Sequence, residues 1–224
     1  MSYMWNEFNI KTMPAETIVF RDGVYCPELS TLENAPINDN YDLPVHIIYV
    51  GEIAGENVLN VTVGVNNQKV IISADVKIKK PAVLNIFIKN AGENSEVSGL
   101  VVLNNSADLK YNCRAEHLYE NTAILIKNKL LAGKNSNSVL AGVATIKPGC
   151  ENCQSDVGFV AMVEDGAKVE FMPEQRISAE PDFAEHSAAI YRPTDSQILY
   201  LRGAGLSGAE VDTALKEAFT SFEQ

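Results

Sequence analysis

"KVIISADVKIKKPAVLNIFIKNAGENSEVSGLVVLNN", residues 69–105, decides what kind of molecule this chain builds. Apolar residues recur at alternate positions, at Val70, Ile72, Ala74, Val76 and Ile78, then at Ala82, Leu84, Ile86 and Ile88. A period of two turns one side of an extended chain toward a core and the other away from it. Working outward, the same grammar recurs in "VHIIYV", "NVLNVTVGV", "AILIKNKLL", "SVLAGVATI" and "VGFVAMV". Val, Ile and Leu dominate, and clusters of Asn, Gly, Asp or Lys separate the runs. Short, regular and numerous runs of this kind specify an all-β architecture: a sandwich, a barrel or a solenoid.

The spacers favour the solenoid. They are rich in asparagine, as in "VNNQ", "KNAGENSE", "LNNSAD" and "GKNSNS", and no helical stretch lies between the runs. Asparagine tolerates left-handed backbone and can stack in ladders at coil corners. The letters give no strict repeat, so pattern alone leaves β-helix and sandwich both open. The reading divides the chain into a lead-in segment (1–43), a β-helix core (44–190) and a C-terminal helical segment (191–224).

In the lead-in, Pro14, Pro27 and Pro36 argue against helix. Asp22-Gly23 lies between two apolar runs, a hairpin-turn signal. At the other end, Thr194 and Asp195 are candidate N-caps of a short helix that Gly205 stops. Ser207 and Glu210 have capping-box spacing. Val211, Ala214, Leu215, Ala218, Phe219 and Phe222 then follow as one helical stripe. Such an appendage either covers the end of the β body or presents a surface to a partner.

The net charge of −11 and pI near 4.7 set the chain against phosphate backbones and anionic membrane surfaces, so neither nucleic acid nor membrane is expected as a partner. No run approaches the roughly 20 apolar residues that span a bilayer. The opening "MSYMWNEFNIKTM" is unlike a signal peptide. A cytoplasmic protein is expected, with Cys26, Cys113, Cys150 and Cys153 kept as thiols.

Few residues carry chemistry. "GCENC" sets Cys150 and Cys153 in a C-x-x-C pair, which can chelate zinc or iron but is only half of a four-thiolate site. The other half would come from Cys26 and Cys113 or from a second subunit. His46 and His117 lie in strand-like stretches and read as structural. His186, in "PDFAEHSAAI", sits where the strand pattern gives way to helices. No nucleotide fingerprint, H-E-x-x-H or G-x-S-x-G occurs, and residues 44–172 offer no distinctive acid pair.

The stretch "MPEQRISAEPDFAEHSAAIYRPTDSQILYLRGAGLSGAEVDTALKEAF" (172–219) resembles the C-terminal segment of the SufB/SufD family of iron–sulfur cluster assembly proteins. Pro173, Glu174, Ile177, His186, Ala188, Tyr200, Leu201, Arg202, Gly205 and Leu206 fall in the family's order without gaps. "VFRDGVYCPELSTL" (Val19–Leu32) is similar to the family's lead-in, with Gly23, Pro27, Glu28, Leu29 and Ser30 matching, and is closer to the D type. A short member is expected, since nothing matches the helical domain that usually precedes the β-helix.

The resemblance implies a right-handed parallel β-helix with a C-terminal helical appendage. It further implies a non-catalytic scaffold of the SUF system, paired as homodimer or heterodimer with a related scaffold subunit. A SufC-like ABC-type ATPase would bind the C-terminal helices through Tyr200, Leu201, Arg202, Gly205 and Leu206. No cofactor would be permanently bound. A transient iron–sulfur cluster would involve His186, with Cys150 and Cys153 as further candidate ligands. The chain departs from the B type at Ser187, where that type has glutamate, and near Gly158, where it has a sulfur-accepting cysteine. Ala204 stands where the family often has arginine. The alternatives are a carbohydrate-active β-helix enzyme and a purely structural β-helix oligomer. Open sheet edges in the last strands, around residues 155–190, are the expected dimer contact.

Overall fold

The structure, a computed structural model, describes residues 15–221. Pro14 and Phe222 of the sequence reading lie outside the described residues. The architecture is a parallel β-helix of about seven turns followed by two short helices: all-β as the alternation predicts, and a solenoid as the resemblance implies. Two sheets face each other across one core. The first takes β1 (Glu16–Arg21), the leading halves of the long strands β3 (Val45–Val63) and β4 (Lys69–Asn90), then β5 (Glu96–Asn105), β7 (Ala123–Ala132) and β9 (Gln154–Val163). It ends in the short β11 (Phe183–Glu185) and β12 (Ala188–Tyr191), both paired with β9. The second takes the trailing halves of β3 and β4, then β6 (Asp108–His117), β8 (Asn137–Ile146) and β10 (Lys168–Ile177).

The register explains why no strict repeat is legible. Lys69 pairs with Glu96, Glu96 with Ala123, Ala123 with Gln154 and Gln154 with Phe183. Coils therefore differ by a few residues, and the surplus falls at corners, where a loop can lengthen without moving the strands. Asn67, Asn94, Asn121 and Asn152 mark one corner, all with φ between 55° and 60°. That left-handed conformation is what asparagine was expected to supply. Side chains alternate faithfully between core and exterior, as in β6 and β8.

The lead-in belongs to the solenoid. β1 pairs parallel with β3 and antiparallel with β2 (Val24–Tyr25), and Asp22 and Gly23 both take positive φ in the turn between. The backbone of 26–32 then returns beside the free edge of β1. Ser30 Oγ accepts from Val19 N, Thr31 Oγ1 accepts from Thr17 N, and Thr17 O accepts from Leu32 N. Ile37, 4% exposed, bridges to Val63 and extends the second sheet by one residue.

The last coil has no such cover. Among the described residues, β10 and β11 end the strand order with one edge each unpaired. The inward positions of β10, by register with the buried Leu140, Ala144 and Ile146, are Phe171, Gln175 and Ile177. Ile177 is nevertheless 42% exposed, and the inward Ile190 of β12 is 49% exposed. Two helices follow, α1 (Asp195–Gly203) and α2 (Gly208–Thr220). Thr194 with Gln197, and Ser207 with Glu210, form capping boxes. Gly205 ends the first helix with φ 93°. α2 buries Val211 and Phe219, whereas Ala218 of the expected stripe is exposed. Among the described residues no helix is long and apolar enough to cross a membrane.

Candidate functional site

His186 falls in the gap between β11 and β12. Glu185 pairs with Asp156 on the outer face and Ala188 with Phe159 on the inner. Alternation thus turns His186 inward, onto the mouth of the last coil. Its ring lies 6.3 Å from that of Phe159. Gly142 of β8 makes room for both: a Cβ there would fall 2.4 Å from Phe159 Cε2 and 3.2 Å from His186 Cε1. Sequence reasoning passed over Gly142. The available signal was a glycine inside the strand "SVLAGVATI", which marks close approach.

Among the described residues, neither ring nitrogen of His186 has a hydrogen-bond partner, although both are enclosed. Burial pulls the imidazole below its ordinary pKa, and the nearby Asp156 carboxylate only partly opposes this. The ring is therefore held neutral, the form that offers a lone pair to a metal. A protein rarely leaves both nitrogens of an imidazole enclosed and idle, because each unmade hydrogen bond costs about 1–3 kcal/mol.

The other two histidines differ. His46 Nε2 meets Ser73 Oγ at 2.9 Å, and burial lowers its pKa. His117 Nδ1 meets Thr122 Oγ1 at 2.8 Å, and burial lowers its pKa to about 4. Thr122 Oγ1 also lies 3.1 Å from Tyr119 O, and His117 Nε2 has no hydrogen-bond partner among the described residues.

Cys150 and Cys153 meet at one corner, with Ile146 beside them. Both thiols are buried and donate to the coil below, Cys150 to His117 O at 3.4 Å and Cys153 to Tyr119 O at 3.3 Å. Burial, with Cys153 close by, pushes the Cys150 thiol up in pKa. Cys153 also occupies the position held one and two coils earlier by Thr122 and Ser95. These are features of corner packing rather than of exposed thiolates. Cys113 lies deep in β6, where burial raises its pKa to about 12, and Cys26 is in the lead-in. Among the described residues, no three His, Cys, Asp or Glu side chains converge as a metal site. His186 and the cysteine pair therefore stand as separate features of one chain.

The partner-binding candidates lie on α1 and the turn behind it. α1 buries none of its residues. Tyr200 is 77% exposed, and its neighbour Leu199 is 66% exposed. Leu201 and Leu206 are half-buried, while Arg202 and Gly205 face solvent.

Compared with known families, residues 65–219 match the one described as SUF system FeS cluster assembly, SufBD core domain. Comparison with curated proteins gives no match.

Proposed function

Because the chain belongs to the SufBD core family of the SUF iron–sulfur cluster assembly system, we propose that it serves there as a cytoplasmic, non-catalytic scaffold subunit. It pairs with a like or related subunit through the open last coil and binds a SufC-like ABC-type ATPase through α1 and α2. The observation that carries this reading is the uncovered mouth of the last coil, with His186 set in it and both ring nitrogens free of partners. Exposed inward-facing residues such as Ile177 and Ile190 gain most from a second subunit. The unpaired edges of β10 and β11 supply backbone donors and acceptors for it.

In such a pair His186 would lie at the subunit contact. A neutral imidazole there can give one ligand to an iron–sulfur cluster that is cargo, with thiolate or carboxylate ligands from the partner. The ATP chemistry belongs to the ATPase. Its movement would be transmitted through the exposed α1, re-open the scaffold pair and release the cluster.

The test is reconstitution with the ATPase and a client apoprotein. His186→Ala is expected to keep ATPase binding and to lower cluster delivery. Removal of residues 195–224 is expected to abolish ATPase binding while the β body stays folded. Cluster delivery by the alanine variant at the parent rate, or undiminished ATPase capture by the truncated chain, defeats the proposal.

A further inference from the structure

The outer face of the first sheet carries a second site, which does not depend on the scaffold reading. Its register sets Leu100, Lys127 and Gly158 side by side across β5, β7 and β9, with Ser187 next. Gly158 leaves a dent in that row: a Cβ there would come within 2.7 Å of Ser187 Oγ and 3.5 Å of Asp156 Oδ1. The floor of the dent is fixed from inside, since Asn128 Nδ2 donates to Gly158 O at 3.0 Å and Tyr111 donates to Asn128 Oδ1 at 2.6 Å. Tyr191 and Phe219, stacked at 5.5 Å, wall the dent on the side of α2. The resulting cavity has a volume of about 700 Å³, within the range of small-molecule sites. A second hollow, lined by Leu125 and Phe183, shares Gly99, Lys127 and Asp156 with it.

The charges at this site are unspent. Asp156 and Glu185 are direct cross-strand neighbours on the same face, an arrangement that like charges disfavour. Among the described residues neither carboxylate has a hydrogen bond or an ion pair, and neither does the Lys127 ammonium. Asp156 is half-buried, and burial together with Glu185 raises its pKa against the opposing pull of Lys127 and His186. Lys129 is already engaged, donating to Ser221 O at 3.0 Å with its ammonium over the Phe219 ring. The cavity and the hollow that adjoins it thus present two carboxylates, Asp156 where they meet and Glu185 in the hollow, with the Lys127 ammonium on the flank and an aromatic and aliphatic wall in the cavity.

We propose that this cavity binds a free α-amino acid with an apolar side chain. Its ammonium sits between Asp156 and Glu185, its carboxylate meets Lys127, and its side chain lies over Gly158 against Val160, Tyr191 and Phe219. The cation relieves the carboxylate repulsion, and the glycine supplies the depth that the side chain occupies.

The experiment is titration of the full chain with L-leucine and L-phenylalanine, followed by calorimetry and by the amide resonances of Gly99 and Gly158. A ligand this small is expected to bind with a dissociation constant of about 1 mM. Asp156→Asn and Lys127→Met are each expected to weaken binding about tenfold, the usual cost of one charge-assisted contact. Gly158→Ala is expected to abolish it. Lys110→Met, on the outer face of the second sheet, is expected to leave it unchanged. N-acetyl-L-leucine lacks the ammonium and L-leucinamide lacks the carboxylate, so both are expected to bind more weakly than leucine. Three results overturn the proposal: no saturable shift at the glycine amides, N-acetyl-leucine or leucinamide binding as tightly as leucine, or both charge variants binding like the parent.

Discussion

The two ends of the solenoid are built on opposite plans. At the N-terminal end the chain doubles back and seals its own edge. Ser30 and Thr31 satisfy the free N–H groups of β1. Ile37 plugs the second sheet, and Gln68 ties the returning strand by accepting from Tyr41 N and donating to Leu43 O. At the C-terminal end, among the described residues, β10 and β11 stop with open edges, inward-facing isoleucines meet solvent, and a half-buried histidine with enclosed ring nitrogens lacks both partners. Both ends face the same problem, since a β-helix always leaves an edge and a cross-section of core. A chain that solves it at one end and leaves it open at the other fits the proposed pairing through the second end.

The sharpest way to break this comparison is to place a carboxylate at each end. Ile37→Asp buries a charge in a closed core and is expected to cost about 4 kcal/mol or more. Ile190→Asp, inward but half in water, is expected to cost the isolated chain under about 1 kcal/mol while abolishing self-association or pairing with a scaffold partner. Urea unfolding and sedimentation of both variants decide the matter. Equal stability losses would mean that the last coil is closed as tightly as the first.

The histidines sharpen it next. His117 is sealed in the core, with a folded pKa of about 4 against 6.5 unfolded. Between those values the unfolded chain binds more protons than the folded one, so stability falls as pH falls, and the loss is complete below about pH 4. The size expected is roughly 3 kcal/mol. His117→Asn copies onto Thr122 the pairing that Asn90 makes with Ser95 one coil earlier. Denaturation curves from pH 7 to pH 4 are expected to flatten in that variant.

For His186, at the mouth, the test is stability at a fixed pH. His186→Leu removes two unsatisfied nitrogens and keeps the packing on Phe159, so the isolated chain is expected to gain about 1 kcal/mol in stability. A gain in midpoint together with a loss of cluster delivery would mark the histidine as held for function. A loss of stability would mean that it is an ordinary part of the fold.

The smallest effect concerns the helices. Lys216 of α2 pairs with Glu164 on the β body and with Asp212 one turn away. These half-exposed pairs are worth under about 1 kcal/mol. Lys216→Ala is expected to leave the unfolding midpoint nearly unchanged and to raise hydrogen exchange in α2 selectively. Faster exchange throughout the β body would show that α2 is a structural cover for the solenoid.

The sequence by itself determined the elements. Alternation in 69–105 gives the strands, asparagines the left-handed corners, Asp22-Gly23 the hairpin, and the Thr194 and Ser207 boxes the two helices. Each is a local property, decided within a few residues by backbone sterics or side-chain periodicity. The same letters marked His186 but could not say that its ring nitrogens go unpaired. Nor could they show that the C-x-x-C thiols would face carbonyls one coil below. The pairing of Asp156 with Glu185, and of Gly158 with Lys127, was equally out of reach. Neighbours in this molecule are mostly 27 to 31 residues apart, and the offset changes whenever a corner lengthens. Only the stacked coils fix that register, and with it which side chains meet and which are left without a partner.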